Sequence, residues 1–280
     1  MNKYQHLFSP IKIGTVEVPN RIALLPMGVF SSRMMNNDGS YTKDGADYYI
    51  ERAKGGTGLI ITGLVPVPKG AGLPSIVNDV KSYTENMKYL ADGVHKYGSK
   101  VFVMLTAMSG RASIHPTDPA PSSMPNVWDP SKNNPEMSIE DIHQYIEWFA
   151  QGAKAAKDAG IDGVEIHAVH EGYLLDQFHS VQWNNRTDEY GGDIHGRLRL
   201  TLEVIEEVRK QCGRDFIIDV RISGDEYSDG GLTLNDMIYV SKQLEKATVD
   251  FIHVSGGNTI KKGSSMTASG TARAPHKHTS

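Results

Sequence analysis

His167, His170 and Tyr173 fall within seven residues of one another and follow directly on the apolar strand signal Val164-Glu165-Ile166. In barrels and parallel α/β sheets, ligands bind at the carboxyl ends of strands. Two imidazoles and a phenol at such an end can donate hydrogen bonds to a carbonyl oxygen or pass a proton to a neighbouring carbon. The same His-x-x-His spacing also suits a metal pair, or two hydrogen-bonded histidines one helical turn apart.

The elements that must position these groups can be read on either side. A hairpin is expected at Ile11–Ile13 and Val16–Val18 around Gly14-Thr15. Strands are expected at Ile22–Leu25, Gly58–Thr62, Val101–Leu105, Val164–Ile166, Phe216–Ile222 and Asp250–Ser255. Helical stripes alternate with them. Asp44–Lys54 reads as a helix, and Tyr83, Met87, Leu90, Val94 and Tyr97 form an apolar face ended by Gly98. Ser138 can cap the next helix with Asp141 in the reciprocal position. Leu198, Leu202, Ile205, Val208 and Cys212 make another face, which assigns Cys212 to the core, and Leu234–Lys246 is the last helix.

Near-continuous apolar strands alternating with helices mark a parallel sheet covered by helices. The fold class is therefore α/β, a TIM (β/α)8-type barrel with about six of its eight βα units and an N-terminal β-hairpin. Residues 1–280 read as a single domain, incomplete at the C-terminus, with Lys261–Ser280 loop-like. Strand alternation puts Asp219, Arg221 and Ser223 on one face, Glu165 with His167, and His253 with Ser255. If the apolar faces meet the helices, these polar ones point into the barrel. An inward guanidinium needs a partner, either an anionic ligand or an internal salt bridge such as Arg221 with Asp219 or Glu165.

The runs HAVHEGYLLDQF and NNRTDEYGG, the second including Arg186–Gly192, resemble the flavin-dependent ene-reductases of the Old Yellow Enzyme family. The likeness is strongest to the branch of 2,4-dienoyl-CoA reductases, enoate reductases and bile-acid-inducible oxidoreductases, and it runs from about Phe8 to Ala274. It implies FMN as cofactor, NADH or NADPH as hydride donor, and an activated C=C bond of an enone or enoyl compound as acceptor. His167 and His170 would bind the carbonyl oxygen, and Tyr173 would supply the proton. The resemblance assigns cofactor contacts to Pro26, Met27, Gly28, Gly63, Met104, Arg221, Ser255, Gly256 and Gly257. Arg221 would lie beside the flavin pyrimidine.

Several positions depart from the family pattern. Met104 stands where the family has a glutamine that bonds the flavin, a bond methionine cannot donate. Gly28 replaces a side-chain donor, and His-x-x-His-Glu-Gly-Tyr has one residue more before the tyrosine than the commoner form. Substrate choice is expected to rest on the segment Ala107–Met137 and on His179 and Val181. The segment from Thr106 to Met137 carries six of the chain's 13 prolines, the composition of a lid or binding loop.

A net charge of −4 without basic clusters argues against nucleic acid or an anionic membrane as partner. No apolar run is long enough to span a bilayer, and the N-terminus lacks a signal-peptide pattern, so a cytoplasmic setting is expected. One cysteine leaves no disulfide framework or cysteine-held iron–sulfur cluster within these residues. The family's cofactor phosphate would be held by loops after strands seven and eight, which are not found here. Two further readings follow. One is a non-catalytic barrel fragment that needs a partner chain, or another copy of itself, to complete the barrel. The other is a metal-dependent barrel hydrolase using His167 and His170, with Glu165 and His253 contributing; no metal site is otherwise expected.

Overall fold

The computed structural model describes residues 4–27, 31–68, 74–170 and 173–257. Gly28 and the Lys261–Ser280 tail lie outside the described residues.

The chain begins with an antiparallel hairpin, β1 (Ile11–Ile13) and β2 (Val16–Val18), paired Ile11 to Val18. Its turn lies against the segments that lead into the last two strands of the sheet. Thr15 Oγ1 donates to the Asp215 carbonyl at 2.9 Å. Gly14 has φ +51, and a Cβ there would stand 2.8 Å from Asp250 Oδ1 and from Ile217 Cδ1. Only glycine combines that backbone with that approach.

Six parallel strands follow: β3 (Ala23–Leu24), β4 (Leu59–Pro66), β5 (Lys100–Thr106), β8 (Gly163–Ala168), β9 (Ile217–Ser223) and β10 (Phe251–Ser255). Their spatial order is their chain order, with β3 and β10 at the two ends. Between them run α1 (Lys43–Lys54), α2 (Val80–His95), α3 (Ile139–Asp158), α4 (Leu174–His179), α5 (Ile194–Cys212) and α6 (Leu234–Lys246). Sequential parallel strands joined by helices form the curled sheet of a barrel.

Helix starts follow the local chemistry. Ser138–Asp141 and Thr233–Asp236 both close reciprocal capping boxes, and Asp193 accepts from two backbone amides at the start of α5. Outward residues Ile60, Val101, Val103, Val164, Ile166, Ile218 and Val220 pack with the helix stripes, Cys212 among them, in one large core. The opposite face carries a smaller cluster of Ile13, Val18, Leu59, Ile61, Leu64, Phe102, Met104 and Ile217. There the hairpin plugs the N-terminal end of the sheet.

Three differences from the local reading have physical reasons. β4 continues to Pro66 because the register shifts between Ile61 and Leu64, a bulge at Thr62-Gly63 that carries the strand past its glycine. Tyr97 is not part of the α2 stripe: the helix ends at His95, and Tyr97 sits exposed in the turn before Gly98. The proline-rich segment is ordered by a small ribbon, β6 (Met124–Pro125) with β7 (Asn133–Asn134), and by a bridge from Ala120 to Glu136.

Candidate active site

Strand register stacks the inward side chains in layers. Glu165 lies beside Met104 and Asp219, and Asp219 also pairs with Phe251. One step toward the C-terminal end, Arg221 lies between His167 and His253, and Ser223 pairs with Ser255 above it. The interior therefore changes from apolar at Phe102 and Ile217 to charged and hydrogen-bonding at the rim.

The three residues of the opening motif come together. The His167 ring centroid is 4.3 Å from that of Tyr173 and 5.8 Å from that of His170. Tyr173 is the N-cap residue of α4, so its position is set where that helix leaves the sheet. His170 adopts φ +77, in the left-handed region that few residues other than glycine occupy. Its Nε2 is 3.0 Å from Ser255 Oγ, which also accepts from Arg221 Nη2 at 3.3 Å. Burial, then the neighbouring His170 and Arg221, hold His167 well below the usual imidazole range. Burial, with Arg221 and His253, brings His170 down to about 3. Both rings are neutral at neutral pH, so each carries one N–H and one lone pair. Burial pushes the Tyr173 phenol up, and it keeps its proton.

A second polar group lies one layer below. His253 Nδ1 is 2.6 Å from Glu165 Oε2, and Asp219 stands beside Glu165. Burial and the Glu165 carboxylate hold Asp219 well above the usual carboxylate range. Arg221 forms no ion pair with Asp219 or Glu165, so the internal salt bridge considered from sequence is not made.

Around the rim, several buried polar atoms lack partners: Thr106 Oγ1, His167 Nδ1, Arg221 Nε and Ser223 Oγ. Such atoms are costly unless something meets them. Their set is rich in donors, lies on the C-terminal ends of three adjacent strands and includes a guanidinium that makes no ion pair among the described residues. A planar, anionic, acceptor-rich ligand of the flavin type fits it. Thr106 was not singled out from sequence, although it lies two residues beyond Met104 and so on the same face.

The other predicted residues are dispersed. Pro26 is buried and Met27 is 64% exposed at the end of β3. Gly63 has its backbone groups committed, its N–H donating to Tyr49 Oη at 2.8 Å and its carbonyl accepting from Tyr41 at 3.0 Å. Met104 faces inward but packs in the apolar cluster. Gly256 and Gly257 follow β10, where Gly257 N–H donates to the Asp225 carbonyl. Gly256 lies under the ring of Tyr227, a residue at φ +51. His179 corrects an expectation. It is fully buried and bonded to Thr201 of α5 at 2.8 Å, so it holds a helix rather than shaping a substrate pocket. Val181 is 52% exposed. In the proline-rich segment, the Arg111 guanidinium stacks 3.8 Å over Trp183, a contact that links two distant loops and is invisible to local pattern. The metal-ligand geometry present among the described residues involves Glu165, Asp219 and His253, without the His167–His170 pair.

The model of the NADH:flavin oxidoreductase / NADH oxidase family matches residues 6–279. Cinnamate reductase of Clostridium sporogenes is 45% identical over 233 residues, which cover 79% of this chain and 35% of that protein. NADPH dehydrogenase of Bacillus subtilis is 37% identical over 259 residues, 91% of this chain and 74% of that one. Among solved structures, the old yellow enzyme homologue from Zymomonas mobilis superposes with a TM-score of 0.76 at 27% identity, covering 91% of this chain and 77% of that one. The chain spans 35–40% of the length of the first relatives it matches. No helix among the described residues is long and apolar enough to cross a membrane.

Proposed function

The chain belongs to the NADH:flavin oxidoreductase / NADH oxidase family, and from that membership we propose an FMN-dependent ene-reductase of α,β-unsaturated carbonyl compounds, using NADH or NADPH. The observation that carries this reading is the rim itself. A neutral imidazole pair and a protonated phenol face the same concave surface as the Arg221 guanidinium, whose Nε has no partner, and the unpartnered Thr106 and Ser223 hydroxyls. A cytoplasmic setting, where reduced nicotinamide is available, accompanies it.

Arg221, Ser223, Thr106 and Ser255 would hold the flavin ring, with Pro26, Met27, Gly28, Gly63, Met104, Gly256 and Gly257 as its further surroundings. FMN, when bound, supplies the hydride chemistry between reduced nicotinamide and the β-carbon of the activated alkene. The chain's own residues do the rest. His167 and His170 donate N–H groups to the substrate carbonyl oxygen and stabilise the negative charge that develops there. Neutral rings serve this without giving up a proton. Tyr173, whose phenol stays protonated, donates to the α-carbon. Its contact with His167 keeps donor and hydrogen-bonding groups on one side of the substrate, which restricts the bound geometry to a reactive one.

The test is the visible spectrum of the purified chain after incubation with FMN and removal of free ligand. Retained flavin bands, bleached anaerobically by NADH or NADPH and restored by 2-cyclohexenone or cinnamate, are the expected result. Cinnamate is included because of the 45%-identical relative's name. A second reading is favoured by the edge strand β10, where Val254 is 59% exposed and Phe251 and Ile252 are only partly covered. In that reading the sheet needs a further chain segment, a second copy or a partner, before it retains flavin. A colourless protein that gains flavin only in such an assembly would favour it.

A further inference from the structure

Below the histidines and Tyr173, the interior holds a cluster that the chemistry above does not use. Glu165 and Asp219 are direct register partners on adjacent parallel strands, and both are fully buried. His253 reaches over from β10 to place Nδ1 at 2.6 Å from Glu165 Oε2. Glu165 Oε1, both Asp219 carboxylate oxygens and His253 Nε2 have no side-chain donor among the described residues. No lysine or arginine among the described residues closes an ion pair with either carboxylate. The groups facing the cluster are Arg221 and His167 in the layer above, Met104 from β5 and, nearer the mouth, His170 and Tyr173.

Two carboxylates side by side in a water-poor interior cannot both remain ionised without a cation between them. A proton and a divalent metal ion are the two candidates, since the potential ligand atoms of all three residues lie within 4.8 Å of one another. The charge around the cluster decides between them. Arg221 stands in register beside His167 and His253, one step from Asp219 along the same strand face, and makes no ion pair among the described residues. A divalent ion would add to its positive charge, whereas a proton removes one carboxylate charge and leaves the other to balance Arg221.

We propose that Glu165, Asp219 and His253 form a proton-holding triad in which Asp219 is the acid, donating its hydroxyl hydrogen to Glu165, which also accepts from the His253 Nδ1–H. The assignment to Asp219 follows from the contacts. Glu165 Oε2 already has the His253 ring nitrogen at 2.6 Å, whereas Asp219 has no side-chain donor and only the His253 backbone N–H beside it, whose effect burial and Glu165 outweigh. The direction in which burial and Glu165 move the Asp219 carboxyl agrees. In this arrangement the Glu165 oxygens are both met, and Asp219 is kept from pairing with Arg221. The triad is thus a positioning device for the guanidinium, which stays directed at an anionic ligand on the concave face. That last consequence rests on the flavin reading; the buried proton does not.

Infrared difference spectroscopy of the purified chain at neutral pH tests the proposal without FMN. A carboxylic-acid C=O band is expected that moves to lower wavenumber in D2O. The band should shift when aspartate, and not glutamate, carries an isotopic carbon in its side-chain carboxyl. It should be lost in Asp219→Asn, a neutral isostere whose unfolding midpoint should stay within about 3 °C of the parent. A band that follows the glutamate label, or that persists in Asp219→Asn, overturns the assignment. Absence of the band together with stoichiometric zinc by elemental analysis overturns it in favour of a metal site. The labelled parent gives the answer even if the variant fails to fold. A chain that shows the aspartate band and holds no flavin would refute the flavin reading and leave the triad standing.

Discussion

The two ends of the concave face are built from the same strands with the same alternation, yet they do opposite work. At the N-terminal end, Phe102, Ile217, Leu59 and the hairpin residues Ile13 and Val18 form a closed apolar plug. Two to four residues further along, the same face carries Glu165, His167, Asp219 and Arg221, with several polar atoms unmet. Burial is nearly complete in both. The plug gains from burial through dispersion and removal of apolar area from water, and the rim is penalised by it. A fold that keeps the second region needs the first to offset it, which is how a stable core and a polar rim come to share one surface.

The largest way to break that division is Phe102→Ala. Removing a fully buried ring from the plug should cost about 3–5 kcal/mol, read as a lower midpoint in urea unfolding. Tyr173→Phe probes the rim instead. It should lower the rate of enone reduction by about 10²–10⁴, leave reduction of the flavin by nicotinamide unaffected, and change stability far less than the plug variant. An equal loss in both half-reactions would remove Tyr173 from the proton-transfer role.

Acid should separate the regions further. His170 is held down to about 3, against about 6.5 for an unfolded histidine. Between those values the unfolded chain binds a proton that the folded chain refuses, so stability is full above the upper value and falls as the pH drops toward the lower one. The slope from this residue should be about 1.4 kcal/mol per pH unit. It should flatten in His170→Asn, a residue that tolerates the positive φ at this position. An unchanged slope would mean that the ring is not buried neutral. The smallest effect is expected from Ser138→Ala, which opens the exposed capping box of α3 and belongs to neither cluster. It should cost about 1 kcal/mol and leave the activity of each folded molecule unaltered.

Much of this organisation was legible before folding was considered. The hairpin Ile11–Ile13 and Val16–Val18, the capping pair Ser138–Asp141 and the helix Leu234–Lys246 agree with the structure residue for residue. Each depends on neighbours within one turn or one strand, so the chain's local chemistry is sufficient. The inward placement of Asp219, Arg221, Ser223, Glu165 and His253 also followed from alternation, because the period of a strand is fixed by its backbone. Arg186–Gly192 and the His167–Tyr173 run carried the family likeness in their order alone.

Other features depended on which strand lies beside which. His253 meets Glu165 across 88 residues, and Ser255 meets His170 across 85. His179 looked like a specificity position until α5 brought Thr201 to its ring. The tyrosine hydroxyls on Gly63, and the Arg111–Trp183 stack, were equally out of reach. Local sequence determined the elements, their caps and the face each side chain occupies. Only the tertiary structure decided the partners, since sheet order and register bring distant groups together and burial then sets which of them can hold a charge.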